Sequence, residues 1–224
     1  MQREPCGAEF LRLSNTIESN EKTRKALSRK DTLDDATVLK CIYFVAYGKG
    51  KTPKDVRIIE PSVITLLLNP KKTLEETQLK EYSALFLPDI PLILIPICYN
   101  NHWSLLYYRT AAKRWVSMDS LEPLHTRLSS TLPLILYENG LISTPPSDKI
   151  YRYKNLTRQP GGWECGSYVI LFVQMVLTRD TEEEIQSVIT ILSEQTRIKL
   201  MKILCDYLEG DVLDLIQTNK RKRE

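Results

Sequence analysis

Two histidines occur in the 224 residues, His102 and His125, so the search for a general base is short. His102 opens a strand-like run beside Trp103, and Asp119 closes the next such run. Cys165 stands between the turn Pro160-Gly161-Gly162 and an apolar segment. An imidazole, a carboxylate and a thiol are what covalent catalysis by sulfur requires: the imidazole exchanges a proton with the thiol, and the carboxylate fixes its tautomer. At a helix N-terminus, beside an imidazolium, a thiol pKa falls to roughly 3.5–7.5. Gln159, six residues before Cys165, can offer an amide N–H to an oxyanion, joined by the backbone N–H of Cys165. Singly, each residue has a plainer reading. An intracellular cysteine before an apolar helix is usually a small buried hydrophobe, His102 alone a capped loop histidine, and Asp119 alone a turn residue. His125, in Leu124-His125-Thr126, reads as a surface residue.

The elements that must position these residues follow from periodicity. Thr32 with Asp35 three residues on matches a capping box, and Leu33, Ala36, Leu39, Ile42, Tyr43 and Ala46 then recur at helical spacing up to Gly48 and Gly50. A short strand is expected over 56–60, a helix from Pro61 to the Asn69-Pro70 stop, and another helix over 73–85. The runs 91–99, 103–109 and 114–119 read as strands, the last two adjacent and antiparallel, which puts His102 and Asp119 at one sheet edge. An ambiguous helical segment covers 128–138, a short strand 151–154, and a buried helix 165–177. Glu182, Glu183 and Glu184 after Thr181 mark the start of further helix, continuing in pieces to 208. Helical and strand segments are segregated, which predicts an α+β fold.

Composition bounds the rest. A content of 42% hydrophobic and 26% charged residues, with only 8 Gly and 12 Pro, is that of a globular domain with a sizeable core. Residues 1–31 are polar with weak periodicity and read as a poorly ordered arm, 32–209 as the domain, and 210–224 as a tail. The five cysteines (Cys6, Cys41, Cys98, Cys165 and Cys205) are odd in number and form no C-x-x-C pair, against a disulfide framework or a zinc ribbon. Reduced thiols in cytoplasm or nucleus are expected. The apolar runs at 66–68 and 91–98 are too short to span a membrane. The net charge of +3 owes much to Lys220, Arg221, Lys222 and Arg223, leaving no basic face for nucleic acid. That terminal run reads equally as a nuclear-localisation element or a solvated end.

The segments Asn101-His102-Trp103-Ser104-Leu105-Leu106, Met118-Asp119-Ser120 and Gln159 through Trp163-Glu164-Cys165-Gly166 resemble the H-W-S-L, D-S and Q-x-x-x-x-D-C-G blocks of the ubiquitin-like-protein proteases. Leu33-Asp34-Asp35 resembles that family's W-L-N-D helix start, and Ile59-Glu60-Pro61-Ser62-Val63 a block of its deneddylase branch. The resemblance implies a papain-like α+β fold with a small, mainly antiparallel sheet. It implies His102 as base, Asp119 as its orienter, Cys165 as nucleophile and Gln159 as oxyanion donor. Trp103 would roof a tunnel for the modifier's C-terminal Gly-Gly, with Asp35 and Trp163 as further substrate-binding candidates. By themselves Trp115 and Trp163 read as packing residues. No metal or cofactor is implied. The partners would be a ubiquitin-like modifier and its conjugates, and the protein a monomer.

Three departures from the pattern stand out: Thr32 replaces a tunnel tryptophan, Glu164 an aspartate, and Pro160 a polar residue. Between modifiers, the 59–63 block and the short extensions lean toward the Nedd type, while Ile95-Pro96-Ile97 is equally at home in SUMO proteases. An acyltransferase with the same triad and a catalytically silent modifier-binding protein are the rival readings. Trp103 and the Gln159 spacing favour a protease over the first, and the complete triad disfavours the second.

Overall fold

The computed structural model describes residues 32–209 except 49, 70–74, 87–88, 122–123, 144, 147–148 and 190–193. The N-terminal arm with Cys6, the tail with its basic run and the side chain of Cys205 lie outside the described residues.

Helix α1 (Asp35–Tyr47) starts at Asp34, whose carboxylate accepts the Thr37 N–H at 2.8 Å. The cap is therefore Asp34 and not the expected Thr32. Asp34 stands three residues before Thr37, where an N-cap side chain meets the N3 amide. Strand β1 (Val56–Ile58) and helix α2 (Pro61–Leu67) follow. Pro61 sits in the first helical turn, where its missing N–H leaves no bond unmade. Helix α3 (Glu76–Ser83) tightens into a 3₁₀ turn (Ala84–Phe86). Next come β2 (Leu92–Tyr99), β3 (His102–Arg109), β4 (Arg114–Met118), α4 (Thr126–Glu138), β5 (Tyr151–Arg152), α5 (Cys165–Thr178), α6 (Glu182–Ile189) and α7 (Glu194–Glu209).

The strands form one sheet in the order β1-β2-β3-β4-β5. The long central ladders, β2 with β3 and β3 with β4, are antiparallel, and the short flanking pairs are parallel. Alternate residues of β2 go to opposite faces. Leu92 and Leu94 join a core with α1, α5 and α6, while Ile93, Ile95 and Ile97 join a second core with α2 and α4. Burial on both faces explains the unbroken apolar run at 92–97. Pro96 is tolerated because β1 ends opposite Leu94, so at that level only β3 neighbours β2.

Three local features set up the site. Asn100 and Asn101 both have positive φ, 50° and 57°, and close the β2–β3 hairpin as a two-residue turn of the I′ kind, which places His102 opposite Tyr99. Helix α5 is buried on nearly all sides from Cys165 to Val176, and its Val169, Phe172 and Val173 each stabilise the fold by about 1.5–3 kcal/mol. At Gly166 a Cβ would stand 3.0 Å from Val38 Cγ2 and 3.2 Å from Leu33 Cβ, so α1 and α5 meet where no side chain intervenes.

The C-terminal side of α5 is clasped by Arg109. Its Nε donates to Glu182 at 3.1 Å, and its Nη2 to the carbonyls of Val176 and Arg179 at 3.4 and 3.2 Å. One guanidinium thus joins the end of β3, unpaired carbonyls near the end of α5 and the start of α6.

Candidate active site

The hairpin and the end of β4 bring His102 and Asp119 together. His102 Nε2 lies 2.7 Å from Asp119 Oδ1, with both residues buried. A carboxylate only accepts, so Nε2 carries the hydrogen and Nδ1 is the atom left for the thiol. Nδ1 is buried. Cys165, the first residue of α5, is the other group whose side chain interacts with the ring.

Asp119 is itself held from three directions. Oδ1 also accepts the Leu121 N–H at 2.9 Å, and Oδ2 the His125 N–H at 3.0 Å. Burial works against the Asp119 charge, yet the bonds from His102, Leu121 and His125 outweigh it and hold the carboxyl below its usual range. For His102, burial pulls the pKa down, but the hydrogen bonds to Asp119 and Cys165, with their negative charges, push it up to about 9. For Cys165, burial opposes ionisation. The hydrogen bond with His102, the backbone N–H of Trp103, the imidazolium charge and the Gly166 N–H together lower its pKa. Both shifts run in the direction that favours an imidazolium–thiolate pair.

His125 is not a surface residue. It is 2% exposed, because the turn before α4 folds its ring inward against β3. Ser104 Oγ lies 2.7 Å from Nδ1, and the Tyr99 carbonyl 2.9 Å from Nε2. Since the carbonyl only accepts, Nε2 bears the hydrogen and Nδ1 takes the Ser104 hydroxyl hydrogen. Burial, reinforced by the charge on His102, lowers the His125 pKa against the pull of the Tyr99 carbonyl, so this ring is neutral. Ligand atoms of His102, Asp119 and His125 all lie within 4.8 Å of one another, and the His102–Asp119, Ser104–His125 and His125–Tyr99 hydrogen bonds run through this cluster.

Gln159 is buried and doubly held. Its Oε1 accepts the Ser120 hydroxyl at 2.6 Å, and its Nε2 donates to the Gly161 carbonyl at 2.5 Å. Glu164 is buried too. Its Oε2 accepts the Gly161 N–H at 2.9 Å, closing the loop that leads into Cys165, a task the conservative Asp-to-Glu reading did not foresee. Trp103 is packed in the core that also takes Cys165. Asp35, exposed in the first turn of α1, faces the Cys98 thiol, and with burial it pushes that thiol up to about 12. Trp163 is half-buried, its Nε1 close to Gly161. Thr32 is exposed. Cys41 is core as expected, Cys98 only partly so, and Trp115 packs against Tyr108.

A buried, carboxylate-oriented imidazole against a thiol at a helix N-terminus, on an α+β papain-like fold, defines a cysteine peptidase. The chain belongs to the Ulp1 protease family: residues 49–209 match the model of that family's C-terminal catalytic domain. Among curated protein sequences nothing matches the chain. Several solved structures share the fold. A de-sumoylating protease aligns with a TM-score of 0.67 at 19% identity, over 90% of this chain and 89% of that one. The C-terminal Ulp1 protease domain in complex with Smt3, the yeast ortholog of SUMO, gives 0.57 at 18%, over 92% and 97%. The Xanthomonas campestris effector XopD bound to ubiquitin gives 0.53 at 18%, over 77% and 90%.

Proposed function

We propose that this peptidase is an isopeptidase that releases a ubiquitin-like modifier from target lysines and trims the modifier's precursor after its C-terminal Gly-Gly. The observation that carries the reading is the buried 2.7 Å bond between His102 and Asp119, beside a thiol whose ionised form that imidazole favours. The Cys165 thiolate attacks the carbonyl carbon of the terminal glycine. The oxyanion takes N–H bonds from the Cys165 backbone and from Gln159. Collapse breaks the C–N bond, and His102 Nδ1 gives its proton to the departing lysine amine. The neutral imidazole then takes a proton from water, the hydroxide attacks the thioester, and the thiolate leaves to restore the resting pair. Trp103, Asp35 and Trp163 are assigned to the approach of the glycine tail, which has no side chain to hinder passage beneath an indole.

Two modifier classes have specific support. The likeness in fold to a de-sumoylating protease and to the Smt3-bound Ulp1 domain favours SUMO. The 59–63 block favours the Nedd type, though Ile59, Pro61 and Val63 are buried and so serve packing more than recognition. SUMO is therefore the first reading. The test is a panel of SUMO, Nedd-type modifier and ubiquitin, each with a C-terminal electrophile. A covalent adduct with SUMO is expected. Adduct formation with the Nedd-type modifier alone would reverse the order, and none with any would overturn the isopeptidase reading.

A further inference from the structure

Asp119 and Ser120 are consecutive, and each grips a different member of the site. Asp119 holds His102, as described. Ser120, 1% exposed, holds Gln159 by two bonds: its hydroxyl donates to Oε1 at 2.6 Å, and its carbonyl accepts the Gln159 backbone N–H at 3.2 Å. The Gly161 carbonyl takes one of the two Nε2 hydrogens. An amide held at Oε1 by a donor and at Nε2 by an acceptor has a single orientation, because exchanging O and N would set Oε1 against the Gly161 carbonyl. The second Nε2 hydrogen is what remains for a ligand.

We propose that Ser120 is a positioning residue that acts through Gln159, fixing the amide so that its second N–H is preorganised for the oxyanion. This rests on the reading of Gln159 as oxyanion donor. A preorganised donor stabilises the transition state without having to reorient as charge develops, so the gain appears in turnover and not in the affinity for substrate. Without the hydroxyl, Oε1 is a buried acceptor with no donor. The side chain then gains freedom to swing, and the donor geometry loosens.

The Ser120→Ala variant removes one atom and fills no space, so the fold is kept. With a modifier–fluorophore substrate, kcat should fall by about 10- to 100-fold with KM unchanged, less than the roughly 10²- to 10³-fold loss expected for Gln159→Ala. The double variant should lose no more than Gln159→Ala alone, since Ser120 has no role once the amide is gone. Alkylation of Cys165 by iodoacetamide depends on the thiolate and not on an oxyanion site, so its rate should match wild type in Ser120→Ala, while the Tm drops only by the few degrees that one lost buried hydrogen bond costs. If Gln159→Ala costs its full amount while Ser120→Ala leaves kcat within twofold, or if the two losses multiply in the double variant, the proposal for Ser120 fails and Gln159 stands. A Gln159→Ala enzyme with unchanged kcat overturns both. Slowed alkylation in Ser120→Ala, which would show that the loss reaches the Cys165–His102 pair, would replace the positioning role with a merely structural one.

Discussion

The imidazoles of His102 and His125 meet edge to face, their centroids 4.7 Å apart and their planes inclined by 65°. One ring is held charged by Asp119 and Cys165, and the other is held neutral by burial between Ser104 and the Tyr99 carbonyl. The neutral ring ties the β2–β3 turn, β3 and the loop after Asp119 to one another.

His125→Phe preserves ring volume and the backbone bond to Asp119 but leaves the Tyr99 carbonyl and the Ser104 hydroxyl without their partner. The cost should be about 1–3 kcal/mol, which for a domain of this size lowers Tm by several degrees, at about 2–4 °C per kcal/mol. Thermal unfolding measures this. An unchanged Tm would show that the buried histidine contributes nothing to stability.

Cys165→Ala should abolish hydrolysis and labelling by a modifier electrophile while the modifier still binds. Cys98 offers no substitute, since burial and Asp35 keep its thiol protonated at neutral pH. Mass spectrometry that maps persistent labelling of the variant to Cys41 or Cys98 would displace Cys165 as the nucleophile.

The pH profile of kcat/KM should be a bell belonging to the coupled pair. On the acid side, activity falls as the thiolate is protonated, below the ordinary thiol pKa because that of Cys165 is lowered. On the alkaline side, it falls near pH 9, where His102 loses the proton it must give to the leaving amine. Asp119→Asn removes the main cause of the raised value, so the alkaline limb should move toward neutrality and kcat drop by up to about 10⁴. A limb that stays near pH 9 in this variant would remove Asp119 as the cause.

Glu182→Ala strands the Arg109 guanidinium. Breaking a buried pair costs roughly 3–5 kcal/mol, and the value should sit near the low end because Arg109 keeps two carbonyl acceptors and is partly exposed. Chemical denaturation should show this loss while kcat of the folded enzyme is unchanged, since the clasp lies at the far end of α5 from Cys165. A stability within about 0.5 kcal/mol of wild type would class the pair with surface bridges.

What is legible in the sequence is what short-range pattern encodes. Alternation marks β3 and β4, whose pairing brings His102 to Asp119, and the unbroken apolar stretch after Cys165 marks a helix buried all round. What is not legible is polar pairing over distance. Ser104 finds His125 across 21 residues and Ser120 finds Gln159 across 39, and the residues beside either serine in the chain do not say which distant group it meets. His125 between Leu124 and Thr126 reads as surface because its burial comes from the way the loop after Asp119 turns back, drawn by its own amide to the carboxylate. The cap of α1 falls on Asp34 and not Thr32 because two capping residues compete within three positions, and sequence spacing alone does not rank them.

At Gly166 the bare Cα lets α1 rest directly on the helix that carries the nucleophile. The segment just before α1, with Leu33 and the Asp34 cap, therefore shares a rigid frame with Cys165. The placing of the thiol thus depends on a contact between two apolar surfaces as well as on the polar groups around His102. A methyl group added at position 166 would stand 3.0 Å from Val38 Cγ2 and 3.2 Å from Leu33 Cβ, so its neighbours would have to give by a few tenths of an ångström beside the very turn that begins with Cys165.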